Sequence, residues 1–167
     1  MISRPIYELN NSENSKQFHA TMKKSIIILI IAFINISSGF AQDWQTDFSK
    51  AKELATKEKK PIILVFQGSD WCAPCIKLSR EIWTTETFIA YAKDNYIMFQ
   101  ADFPRKKKNA LPEKQATANA KLAEKYDKEG VFPLVVVLDN KGTLLGETGY
   151  KKITPKAYIQ ELNSFVK

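Results

Sequence analysis

The chain has 167 residues, a formal net charge of +7 and 44% hydrophobic residues, with no internal repeat or low-complexity tract. Its length suits one domain with a buried core. Its lysines are scattered among acidic neighbours (Lys50, Lys52, Glu53, Lys57, Glu58), which marks a solvated helix face and argues against nucleic acid as a partner.

The first residues read as an address. Met22-Lys23-Lys24 is a short basic stretch, and an almost unbroken apolar run follows from Ser25 to Ile36. Gly39 and Ala41 then occupy the small-residue positions of a cut before Gln42. That layout predicts a bacterial secretory signal peptide over 22–41, because the run is shorter than the roughly 20 residues a spanning helix needs. Residues 1–21 are polar and patternless and read as an upstream extension or a misassigned start. The folded domain is expected over 42–167, outside the cytosol, in the periplasm or secreted.

Along that domain, Phe48, Ala51, Leu54 and Ala55 recur at helical spacing behind a cap at Asp47 or Thr46. Ile62 to Phe66 is apolar at every position, which suits a central strand covered on both faces. Gly68-Ser69-Asp70 turns the chain out to Trp71-Cys72-Ala73-Pro74-Cys75, and a helix runs on to about Trp83. Thr84 or Thr85 is a fresh N-cap, so the spacing predicts a kinked or two-part helix ending at Asp94-Asn95. Tyr96 to Asp102 reads as a second strand, and Phe103 to Glu113 as a basic, proline-bounded loop.

Lys114 to Asp127 is Ala-rich and helical, with Ala120, Leu122, Ala123 and Tyr126 expected inside. Leu134 to Leu138 is a strong strand. The short turn Asp139-Asn140-Lys141-Gly142 makes the return strand Thr143 to Tyr150 antiparallel to it. Thr154-Pro155 caps a last helix carrying Tyr158, Ile159, Leu162 and Phe165. The order predicts an α/β fold with a mixed sheet and helices on both faces.

Cys72 and Cys75 are the only cysteines and His19 the only histidine, too few ligands for a structural zinc site. No metal and no organic cofactor is expected. A structural disulfide across so short a loop would constrain the unfolded chain little. Redox work is the stronger reading. At a helix start, N–H donors and the positive dipole end favour a thiolate, so Cys72 is expected to be exposed and reactive. Cys75, one turn in, is expected to be shielded and to close the disulfide that expels whatever Cys72 has captured.

With Trp71-Cys72-Ala73-Pro74-Cys75 after a buried strand and Phe132-Pro133 before the hairpin, the chain resembles the thioredoxin fold, over nearly all of 42–167. Gly68 to Cys72 with Cys75-Ile76-Lys77-Leu78 is most similar to secreted bacterial thioredoxin-like proteins. The resemblance implies that Pro133 is a cis-proline lying against the cysteine pair. It implies that Phe132 offers its backbone to the substrate, with Trp71 and Pro74 completing the substrate-binding set. It also implies a departure: the buried aspartate of thioredoxin is replaced by Phe66, and its lysine partner, by alignment, by Met98. Asp70 is expected exposed at the rim. The basic loop, longer than the family's usual link, reads as solvated ahead of a docking patch.

The function these features imply is an exported, monomeric thiol–disulfide oxidoreductase that reduces client proteins and is recharged by a membrane or periplasmic electron donor. Ala-Pro between the cysteines is similar to the Gly-Pro of reducing thioredoxins. The alternatives are an oxidase or isomerase, and a non-catalytic client-binding or copper(I)-carrying protein. Oxidases and isomerases more often carry a histidine between the cysteines, which Ala73 cannot replace. A copper carrier lacks a third soft ligand, with Met98 expected in the core.

Overall fold

The strand Ile62–Gln67 (β2) is the axis of the fold, because its first five residues are all buried and need cover on two sides. In this computed structural model, which describes residues 41–166, β2 runs parallel to β3 (Ile97–Asp102) and antiparallel to β4 (Leu134–Leu138). A two-residue strand, β1 (Trp44–Gln45), pairs parallel with β3 at one edge. At the other edge β5 (Leu144–Thr148) pairs antiparallel with β4, giving the order β1-β3-β2-β4-β5. The expected leader and upstream segment, up to residue 40, lie outside the described residues.

Strand alternation divides the apolar residues between two layers. Ile63, Val65, Met98, Val135 and Val137 face one side. There they meet α2 (Ala73–Leu78) with the wide turn Ser79–Trp83 that prolongs it, α3 (Glu86–Asn95) and α5 (Pro155–Ser164). Trp83 centres that layer, packing edge-on against Phe88, Tyr158 and Trp44. Ile62, Leu64, Phe66, Phe99, Ala101, Val136 and Leu138 face the other side, under α1 (Phe48–Glu58) and α4 (Glu113–Tyr126). Helices therefore cover both faces, as the sequence order requires.

The caps explain the boundaries. Asp47 Oδ1 accepts the N–H groups of Ser49 and Lys50 at the start of α1. Thr85 Oγ1 accepts Phe88 N–H at the start of α3, and Thr154 Oγ1 accepts Ala157 N–H in α5. The two-part helix arises because Thr84 N–H bonds back to Ser79 C=O, five residues earlier, which opens one wide turn before Thr85 restarts the helix. The β4–β5 hairpin closes on Asp139, whose Oδ1 accepts Lys141 and Thr143 N–H, with Gly142 at φ +85°.

Two expectations need correction. The sequence pattern predicts no helix or strand before Asp47, yet β1 forms there; two residues carry no periodicity to read. In α4 Ala120 faces solvent, and Asn119 takes the inward position at 1% exposure. Its amide is satisfied by Asp102 C=O and the Gln115 side chain, so a polar residue occupies a core slot that apolar spacing assigns elsewhere.

Candidate active site

The site is built where β2 and β3, running parallel, end side by side. Past Gln67 the chain turns at Gly68, whose carbonyl accepts the N–H groups of Trp71 and Cys72. A side chain at Gly68 would meet the Trp71 indole at 2.3 Å, so the turn requires glycine. Ser69 donates its N–H (2.8 Å) and hydroxyl (2.6 Å) to the Asp102 carboxylate at the end of β3. The two strand ends are thus tied together.

Asp70 makes a second tie. Its carboxylate accepts Arg105 N–H (2.9 Å), Lys106 N–H (3.0 Å) and the Asn109 side-chain amide (2.9 Å). The Arg105 N–H, assisted by Asn109 and Lys106, holds the carboxyl below its ordinary range. Asp70 is therefore no free base at the rim. The loop after β3 is solvated along Arg105 to Ala110, as expected, but its backbone is fastened to the cysteine loop, and a single 3₁₀ turn, Lys107–Asn109, stiffens it.

Trp71 lies between these two loops. Its Nε1–H donates to Phe103 C=O at 2.7 Å, and the Arg105 guanidinium lies 3.6 Å from its ring centroid. The Phe132 ring stands edge-on to Trp71 (5.6 Å) and Phe103 (5.4 Å). The Phe132–Pro133 peptide bond is cis, as the resemblance implied, and Pro133 is buried. Asp127 shapes the approach to it, with Oδ1 accepting Val131 N–H and its carbonyl accepting Gly130 N–H. Its Oδ2 is buried without a hydrogen-bond partner. Burial pushes the Asp127 carboxyl up against the pull of those N–H groups, with Glu129 and Glu147 adding to the rise.

Cys72 caps α2, and its Sγ accepts Cys75 N–H at 3.2 Å. The two cysteines form a disulfide with Cα atoms 5.3 Å apart. Pro74 sits exposed in the first turn, where a missing N–H costs the helix nothing. The expected contrast in exposure is not seen: Cys72 is 4% and Cys75 2% exposed in this disulfide form. A cleft of about 310 Å³, bordered by Gln67, Ser69, Ser79 and Thr84, opens onto Cys75.

The expected Phe66–Met98 neighbourhood is also corrected. Phe66 stands opposite Ala101 in β3 and Leu134 in β4, whereas Met98 is opposite Ile63 and packs on the other face of the sheet. An alignment fixes a position along a strand, but a shift of odd length reverses the face. Both residues are buried and apolar, and the only buried polar or charged side chains among the described residues are Asn119 and Asp127. Sequence reasoning missed Ser69, Asp102, Phe103 and Arg105. An aspartate ending an apolar strand was the one available signal for Asp102.

Comparison with known proteins agrees with this geometry. The thioredoxin-like family model matches residues 43–140. A curated relative named disulfide bond reductase DsbH, from Chlamydia pneumoniae, is 35% identical over 124 residues, covering 74% of this chain and 72% of its own. The thioredoxin-related protein DsbJ of the same organism is 22% identical over 131 residues, and the match spans 37% of that longer protein. A solved structure titled DsbH oxidoreductase superposes with a TM-score of 0.70 at 33% identity, covering 75% of this chain and 85% of that one.

Proposed function

The chain belongs to the thioredoxin-like family and is a thiol–disulfide oxidoreductase, and we propose that it is exported and reduces disulfides in client proteins. Cys72 is the attacking thiol and Cys75 the resolving one. The observation that carries this assignment is the Cys75 N–H directed at Cys72 Sγ at the start of α2. In the reduced protein the same donor favours a thiolate on Cys72.

The Cys72 thiolate attacks one client sulfur. A Cys72–client S–S bond forms as the client disulfide breaks, and the second client sulfur leaves as a thiolate and takes up a proton. Cys75 then loses its proton to water in the cleft beside it and attacks Cys72 Sγ. The Cys72–Cys75 bond forms and the first client sulfur leaves. Two electrons pass to the client, and a dithiol donor at the membrane or in the periplasm restores the enzyme. Phe132, Pro133, Trp71 and Pro74 form the surface that receives the client backbone.

The reducing direction is supported by Ala73-Pro74 between the cysteines and by the similarity to the disulfide bond reductase DsbH. Export is supported by the leader-like residues 22–41, which leave 42–167 as the working domain. The test is the equilibrium potential of the pair against a dithiol buffer. A reductase should fall nearer the roughly −270 mV of thioredoxin than the roughly −120 mV of a strong oxidant. A value at the oxidising end would reverse the direction.

A further inference from the structure

Exchange chemistry alone does not say which disulfides are presented to the site, and the loop after β3 bears on that choice. Arg105, Lys106, Lys107 and Lys108 are all exposed, and none joins an ion pair among the described residues. The loop that carries them is held on the cysteine loop by the three Asp70 hydrogen bonds and by Trp71 Nε1–H on Phe103 C=O. Asp70, on the adjoining cysteine loop, accepts two backbone N–H groups and the Asn109 amide; of the four cationic side chains it is drawn only to that of Lys106, with which it forms no ion pair. The strip begins over the Trp71 ring, next to Cys72 and in the same aromatic group as Phe132.

We propose that this strip is a docking site for a client segment rich in aspartate or glutamate within a few residues of its disulfide. The proposal rests on the functional reading above. Charge complementarity selects the occupant. Four unpaired cations on an already ordered loop attract an anionic chain with little left to order on binding. Attraction of this kind acts mainly on encounter, so it raises kcat/KM and weakens as salt screens it.

The test uses the protein purified from an exporting host and kept reduced by dithiothreitol, which supplies the two electrons and two protons each turnover consumes. Three peptides share one disulfide core and differ only in flanks of aspartate, serine or lysine. The wild type should reduce the aspartate peptide about ten times faster than the serine peptide at low salt, and the lysine peptide slowest. The order should compress at high salt. The triple variant Lys106→Gln/Lys107→Gln/Lys108→Gln, which keeps the backbone N–H bonded to Asp70, should bring the three rates to within about twofold and leave the serine peptide unchanged. Lys107→Glu/Lys108→Glu should reverse the order.

Equal rates in the wild type, or a preference that survives the triple variant, would overturn the docking site while leaving the redox reading intact. Failure of the wild type on all three peptides would overturn the redox reading and the inference with it. Lysine-dependent binding to anionic phospholipid vesicles, without any peptide preference, would reassign the strip to a membrane surface and overturn the proposal.

Discussion

The Asp70 carboxylate, two residues before Cys72, accepts the backbone N–H of Arg105 at 2.9 Å. One acidic side chain therefore sets the conformation of two loops at once. Its carboxyl lies below its ordinary value, first because of that N–H, so the ionised form is bound more strongly in the folded state. This contribution is fully present above the ordinary value of 3.8 and is lost as pH falls through the lower, folded value. Asp70→Ala should remove the hydrogen-exchange protection of the Arg105 and Lys106 amides at neutral pH. Wild-type protein should lose it only in acid. Protection retained in the variant would show that the loop is held by other contacts.

Asp127 should titrate in the opposite sense. Burial raises its carboxyl, so ionising it opposes folding, and the penalty grows as pH rises from the ordinary value of 3.8 through the folded one. Asp127→Asn keeps an oxygen for Val131 N–H and cannot ionise. The stability of the variant relative to wild type, measured by urea unfolding, should rise between about pH 4 and pH 7. A difference independent of pH would mean that Asp127 carries no raised titration.

Phe66 offers a test of the register. Aspartate there would stand opposite Ala101 and Leu134, in an apolar layer with no buried cation among the described residues. Loss of the ring and burial of a carboxyl should cost about 3–5 kcal/mol, and more as pH rises and the acid is forced to ionise. In the reduced variant, titration of Cys72 followed by thiolate absorbance should gain a second, coupled step. The wild type should show a single step. Two coupled steps in the wild type would mean that another acid near the pair already titrates with it.

What could be read from the sequence follows from the range of the forces involved. Helices and strands of five residues or more announce themselves through spacing, turns and caps, as Asp47, Thr85 and Thr154 show. The Cys72–Cys75 pair and Phe132-Pro133 were legible because their chemistry is local. The Ser69–Asp102 and Asp70–Arg105 ties join residues 33 and 35 positions apart and leave no periodic trace. Asn119 was missed because its burial depends on a carbonyl at Asp102 that only the fold brings near. Met98 is buried as expected, but alignment alone does not show that it packs on the face of the sheet opposite Phe66, because a sequence position does not state a strand register.

The central claim is a division of labour between two sulfurs, and the most direct measurement is covalent trapping in an exporting cell. Cys75→Ser should accumulate mixed disulfides that mass spectrometry maps to Cys72 and a client cysteine, and that vanish with a reductant. Cys72→Ser should accumulate none. Complexes linked through Cys75, or no complex with Cys75→Ser, would contradict the account.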